Sequence, residues 1–415
     1  MRRAAFLFCA VIASNADARA EDMPSAAKQT SQEVLDPERY ELAGFPIIGG
    51  NTDIGVQFGG AGTLTRFHDD VRPYRWNIDL LLSASIKSDS NGTRLVQQSH
   101  VLRLDAPNLF GGRVRIDTRG SFQRTVNAGY YGVGNDSSAA VPPGADGPGR
   151  RYQYLQQEGR VRAISRVKTG TFVDVALGAN VRYESPSTYV ASKLAEDAGP
   201  VLGTHPNGLA GLAIGAMVDT RDSEFVTRSG IFYQVGVGYT VGANEDVRYA
   251  NTSAVLAHYA PLVGPFTFAN RFVASFEDGR VPFYDLQQGG TFESQNLLGG
   301  ESGVRGVPQG RYGGLVKVIT NVEIRSTLPR FVVLKQRVRL GTTTFFDAGR
   351  VWSGYSLDPA RDGLKLGLKY GVGAGAFLQW GEAAIFRIEV AYSPDAVAEN
   401  PGFPVGIYVA DGLMF

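Results

Sequence analysis

Val173-Asp174-Val175-Ala176-Leu177-Gly178-Ala179-Asn180-Val181-Arg182-Tyr183 alternates with a period of two. Val173, Val175, Leu177, Ala179, Val181 and Tyr183 fall on one face of a strand, and Asp174, Gly178, Asn180 and Arg182 on the other. The same alternation returns at 113–123, where Val114, Ile116, Thr118 and Phe122 interleave with Arg113, Arg115, Asp117, Arg119, Ser121 and Gln123. At 386–392, Phe386, Ile388, Val390 and Tyr392 interleave with Arg387, Glu389 and Ala391. A soluble sandwich also alternates. Here, however, the polar faces are heavily charged and the runs reach 10–15 residues, longer than the ~5–6 of globular strands and matching the ~9–11 of strands that cross a bilayer. Apolar outside and polar inside is the pattern of a transmembrane antiparallel β-barrel, so the fold class is all-β.

Working outward, strands are expected near 53–67, 72–87, 93–106, 111–126, 151–167, 170–184, 207–220, 230–242, 246–260, 265–278, 313–328, 335–352, 364–379, 384–393 and 404–415. Long connections (127–150, 185–206, 279–312, 353–363, 394–403) alternate with short ones such as 168–169, 261–264 and 380–383. Barrels of this kind place long loops outside the cell and short turns in the periplasm. Closure then requires one more strand, assigned to Tyr40–Ile48 with a turn at Gly49-Gly50-Asn51, giving sixteen. The connection at 279–312, between strands 11 and 12, is long enough to fold inward. Tyr74, Trp76, Trp352, Trp380, Tyr392 and Phe403 are expected at the membrane interfaces.

Composition agrees. The 415 residues are 43% hydrophobic and 20% charged, with 52 glycines and a net charge of +1. That balance excludes a polyanion-binding basic surface and an acidic disordered tail, and no nucleic-acid motif occurs. A mean hydropathy of −0.10 does not fit a bundle of membrane helices. Arg2 and Arg3, the apolar run Ala4–Ala13 and Ala18-Arg19-Ala20 read as a secretory signal peptide over 1–20. Its removal takes the only cysteine, Cys9, together with three Arg and one Asp, so the charge becomes −1. A polar lead-in at 21–40 is expected to be a short periplasmic tail before a barrel at 41–415.

Leu298-Gly299-Gly300-Glu301-Ser302-Gly303-Val304-Arg305-Gly306-Val307 resembles the signature loop of the bacterial surface-antigen superfamily, the BamA/TamA-like outer-membrane barrels. Further pieces stand in the family's order: Asp219-Thr220-Arg221-Asp222 with Ser229-Gly230, then Val281-Pro282-Phe283-Tyr284, Glu323, Phe345-Phe346-Asp347-Ala348-Gly349 and Phe415 at the end. Val307 replaces the usual aromatic and Val226 a common proline. The resemblance implies an outer-membrane protein of a Gram-negative-type cell, barrel-only because the lead-in is too short for the family's periplasmic POTRA modules. It implies insertion or translocation of proteins or lipid. The partners would be outer-membrane lipids, a nascent outer-membrane or secreted protein, or a periplasmic partner. A passive pore or structural barrel is the rival reading.

A guanidinium inside a barrel needs carboxylates. Arg305, in the latch motif Val304, Arg305, Gly306 and Val307, is expected to fold inward onto Asp347 and Glu323, which alternation places on the lumen face. With lumen water screening the pair, its net worth is expected to be about 1–3 kcal/mol. Phe415, sharing a face with Leu413, Val409 and Ile407, is expected to act as an assembly signal. No catalytic residue, metal site or cofactor is expected. Gly300-Glu301-Ser302-Gly303 lacks the spacing of a nucleophile elbow, and His68, His100, His205 and His258 lack metal-ligand spacing. Gly236-x-Gly238 and Gly371-x-Gly373-x-Gly375 read as bend-forming strand glycines, not phosphate loops.

Overall fold

The computed structural model describes residues 38–415 except 70, 90–91, 140–149, 171, 334–335, 381–383 and 400–404. The expected leader at 1–20 and nearly all of the expected tail at 21–40 lie outside the described residues. Among the described residues sixteen long antiparallel strands, joined by two short ones, Ser187–Thr188 and Phe331–Val333, form one closed sheet. They are β1 Tyr40–Asn51, β2 Gly55–His68, β3 Val71–Asp89, β4 Gly92–Leu109, β5 Val114–Gly129, β6 Gln153–Lys168, β7 Asp174–Glu184 and β8 Asn207–Asp219, then β9 Gly230–Gly242, β10 Arg248–Pro261, β11 Phe266–Arg280, β12 Val316–Thr327, β13 Gln336–Trp352, β14 Lys369–Trp380, β15 Ala384–Tyr392 and β16 Val405–Asp411. Each pairs with its sequence neighbour, and β1 closes on β16. Among the described residues no helix is long and apolar enough to cross a membrane; the strands do the crossing.

The faces are inverted relative to a soluble protein. Leu177, Val181 and Tyr183 are exposed on the outer face of β7, while Arg182 between them is buried. On β12, Lys317, Asn321, Glu323 and Arg325 point inward and are buried, and Val318, Val322 and Ile324 point outward. Polar side chains are buried here because the lumen is filled. The connection at 281–315 enters from the long-loop end and packs along the inner wall. Three details of the expected strands need correcting. Gly49-Gly50-Asn51 remain in β1, and the turn falls at 52–54, where Asn51 Oδ1 accepts the amides of Asp53 and Ile54, both at 2.9 Å. β14 begins at Lys369 rather than 364, because the Arg350 guanidinium holds the carbonyls of Lys365 and Leu366 out of the ladder. β16 ends at Asp411, where Gly412 (φ 73°) turns the chain inward, so Phe415 does not share a face with Val409 and Ile407.

Of the expected interface aromatics, Trp380 and Tyr392 are exposed on the outer face. Tyr74 instead donates its hydroxyl to the buried Asp105 at 2.6 Å, and Phe403 lies outside the described residues. A closed barrel of this size resists detergent, so the unboiled protein should migrate faster than the boiled protein in a denaturing gel and fractionate with the outer membrane. Migration independent of boiling, or recovery in the soluble periplasmic fraction, would contradict the fold.

A candidate latch inside the barrel

The inward connection is anchored twice. Its first arm begins with Val281-Pro282 and a single helical turn, Phe283–Leu286. Phe283 packs edge-on against Tyr130 and Tyr154, at centroid distances of 5.3 and 5.0 Å. Asp285 accepts from Arg182 of β7 and from the Tyr249 hydroxyl of β10 at 2.7 Å. A small hairpin, Gln288–Gly289 with Gln295–Asn296, then carries Phe292 down to Ile164, Ala176 and Met217. That seat is cleared by glycine. A methyl group built on Gly178, Gly215 or Gly236 would come within 3.1, 2.8 and 2.7 Å of the Phe292 ring, so these lumen-facing glycines of β7, β8 and β9 make a recess for it. Gly236 thus serves contact rather than bending.

The second anchor is the signature segment. Gly299 (φ 139°), Gly300 (φ 74°) and Gly306 (φ 93°) adopt backbone angles that L side chains rarely reach. The turn closes through Gly300 N–H to Val307 O at 2.9 Å and Val304 N–H to Leu297 O at 3.0 Å. Val304 and Val307 are fully buried with Val273, Leu297, Leu298, Tyr312, Ile319 and Val351. Arg305 is thereby aimed at the wall, and its side chain has no exposed area. Its Nε donates to Asp347 Oδ2 at 2.7 Å and its Nη2 to Asp347 Oδ1 at 2.9 Å, a two-point grip. Nη1 lies 2.8 Å from both Glu323 Oε1 and Glu389 Oε1. The guanidinium carbon sits 3.4 Å from the centre of the Phe345 ring. The Arg305 amide donates to Asp347 at 3.1 Å, and the Gly306 amide to the Tyr408 hydroxyl at 2.8 Å. A neighbouring set completes the balance: Arg325 binds Glu323 at 2.7 Å, Arg387 binds Glu389 at 3.2 Å, and Asn321 bridges Gly303 O and Asp347 Oδ1, each at 2.9 Å. Gly371 and Gly373 of β14 face this point, and a methyl on either would collide with the Arg305 carbonyl or the Phe345 ring.

All the expected latch residues therefore meet: Val304, Arg305, Gly306 and Val307 from the loop, Asp347 from β13 and Glu323 from β12. Glu389 and Tyr408 were not anticipated as partners. Glu389 was legible as a lumen-facing residue through Phe386, Ile388 and Val390, but closure of the barrel is what brings β15 and β16 to Arg305. Screening by lumen water is corrected too, because no part of the Arg305 side chain is exposed. Phe415 does not touch Arg305 but lies one residue removed from the latch: its ring packs 6.1 Å from that of Tyr259, and its carbonyl accepts from Arg325, the residue that also binds Glu323. The four histidines stay dispersed, and the described residues contain no group able to hold a metal ion.

Removing one member of a buried, hydrogen-bonded charge cluster costs about 3–5 kcal/mol, because its partners are left uncompensated. Arg305→Ala should leave the barrel folded but open the 281–315 segment to external protease. Asp347→Ala should do much the same, and the double variant should be no worse than the singles. A segment as protected as in the parent, or single effects that simply add, would show that the cluster does not hold the loop.

A family model described as the Omp85 superfamily domain matches residues 96–403. The structure of BamA from Haemophilus ducreyi, lacking POTRA domains 1–3, is similar at a TM-score of 0.55 and 14% identity, over 90% of this chain and 70% of that one. CdiB from Escherichia coli is similar at a TM-score of 0.52 and 14% identity, over 90% of this chain and 63% of that one. The chain thus spans less than two thirds of the CdiB structure. At these identities the likeness is one of fold. No curated protein matches.

Proposed function

The chain belongs to the Omp85 superfamily, whose BamA-like barrels reside in the outer membrane of Gram-negative bacteria, and on that premise we propose that it inserts or translocates client proteins at that membrane through the seam between β1 and β16. The observation that carries this reading is the poverty of that seam. β1 pairs with β2 along its whole length, Tyr40 to Asn51. With β16 it pairs only at Gly50–Val409 and Asn51–Tyr408, extended by Thr52 N–H to Ile407 O at 3.3 Å. At about 1 kcal/mol net per hydrogen bond, opening such a join costs on the order of a few kcal/mol. Among the described residues nothing pairs with the other edge of β1 from Tyr40 to Gly49. A free edge of that length is a template for an incoming strand.

The latch supports the same reading. Gly306 holds Tyr408, one of the two seam residues on β16, and Glu389 ties Arg305 to β15 beside it. Release of the loop would therefore loosen the seam, with no energy cofactor required. Lipids around the seam, the client and a periplasmic partner are the partners this function needs. Catalytic chemistry plays no part in it.

The seam can be locked. A β-carbon built on Gly49 stands 3.6 Å from the Val409 β-carbon, within the range a disulfide spans. Gly49→Cys with Val409→Cys, oxidised, should abolish client insertion into liposomes and regain it on reduction, with the barrel folded throughout. Undiminished insertion with the seam locked would sink the lateral route. A locked barrel that still conducts ions as the parent does, in a parent that inserts nothing, would favour a passive pore.

A further inference from the structure

Between the inward connection and the wall of β5 and β6 lies a cavity of about 530 Å³, within the ~300–1,000 Å³ of small-molecule sites. Its lining takes in Thr52 and Asp53 of the β1–β2 turn and Tyr131 and Tyr152 of the β5–β6 connection. Both are at the long-loop end, so the cavity belongs to the half of the lumen that faces the cell exterior. Gln309, which follows the signature segment, also lines it, and is exposed although Pro308 and Gly310 on either side are buried.

The chemistry of the lining is unusual for this lumen. Eight carboxamide side chains and five tyrosines border the cavity. The charged residues on it are Asp53, Lys87 and Glu158. Arg160 binds Glu158 at 2.7 Å, and Lys87 Nζ is spent on the Thr52 and Asp53 carbonyls at 2.8 and 3.2 Å. A second cavity in the same lumen, of about 380 Å³, is lined instead by five arginines, Arg103, Arg115, Arg166, Arg221 and Arg271. Filling a lumen with polar groups therefore does not by itself select amides over charges. Three buried polar atoms on residues of the amide-rich wall, Asn127 Oδ1, Gln153 Oε1 and Tyr284 Oη, have no hydrogen-bond partner among the described residues. A ligand bonding to them would offset a cost the fold otherwise carries.

Carboxamides offer a donor and an acceptor side by side, as the hydroxyls of a sugar do. Tyrosine adds a flat apolar face with a polar tip, which suits the C–H face of a pyranose ring. Tyr152, half-buried, is held in place by stacking on Tyr131 at a centroid distance of 4.6 Å and 13°. The site also extends. Ile54, Gln123, Asn296 and Gln309 border a further cavity of about 380 Å³ that continues to Gln57, Gln97 and Ser99, so a chain of rings has room where a single ring would leave most of the wall unused.

We propose that this cavity is a binding site for a neutral oligosaccharide, a short chain of hexose rings presented from outside the cell. Gly306 and Tyr408, joined at 2.8 Å, are both on its wall, so an occupant rests against the latch and holds it closed. The site does not depend on the barrel handling protein clients.

The test is saturation-transfer NMR on the purified full chain in a detergent without a sugar headgroup, with neutral tri- to hexasaccharides of glucose, galactose or mannose as probes. At least one series should bind, and more tightly as the chain lengthens. Hexuronate oligomers of the same length and a glycine hexapeptide should bind about tenfold more weakly or not at all, an arm that needs no variant. Gln309→Ala and Tyr152→Ala should each weaken saccharide binding by about tenfold while the heat-dependent gel shift is kept. Binding by none of the neutral series, or affinity unchanged in both variants, would overturn the proposal. A peptide that binds more tightly than every saccharide would overturn it in favour of a polypeptide ligand. The source is read in proteoliposomes. Competition by lipopolysaccharide that carries its sugar chain, but not by lipid A alone, supports the site with an outer-leaflet glycolipid as its ligand; saccharide binding with competition by neither supports it with a free polysaccharide.

Discussion

Arg305 carries a permanent charge into a place where water cannot reach it, and the interior is arranged around that demand. A guanidinium taken out of water is tolerated only when its donors meet oxygens in good geometry and its charge is balanced nearby. Here Asp347, Glu323 and Glu389 surround it, Arg325 and Arg387 offset the surplus carboxylates, and Phe345 covers one face. The partners come from β12, β13 and β15, with Tyr408 of β16 bonded to the next residue of the loop. Two adjacent loop residues therefore engage four of the sixteen strands, including the one that closes the wall.

The same demand explains the glycines. A loop can approach the wall closely only where the wall has no side chains. Gly371 and Gly373 make that space for the Arg305 backbone and Phe345, and Gly178, Gly215 and Gly236 make it for Phe292. The high glycine content is therefore a property of the lumen surface as much as of the turns. Burial on the inside is matched by exposure of Val181, Leu212 and Ile214 on the outside, where lipid rather than protein covers them.

Much of this was legible because a strand has a strict period. Alternation around Glu323 and Asp347 placed both on the lumen face, and the Val-Arg-Gly segment with its flanking glycines marked the loop that reaches them. The positions of the strands follow from the same rule. Other features are set by contacts distant in sequence, which periodicity does not encode. Glu389 and Tyr408 reach Arg305 only because the sheet closes on itself. β14 starts late because Arg350, from another strand, captures its first carbonyls. The inward turn at Gly412 depends on a seat made by Tyr259, Arg271 and Arg325, three residues whose own strands disclose nothing of the chain's last residues.

The central claim is that the signature segment is held as firmly as the wall itself. Amide hydrogen exchange of the folded barrel measures this directly. The Arg305 and Gly306 amides donate to Asp347 and Tyr408 inside the lumen, so residues 304–307 should exchange as slowly as β12, far below the rate of the external connection at 185–206. Exchange of residues 304–307 at the rate of that external connection would mean that the loop is not latched, and the account of the interior built on Arg305 would fail.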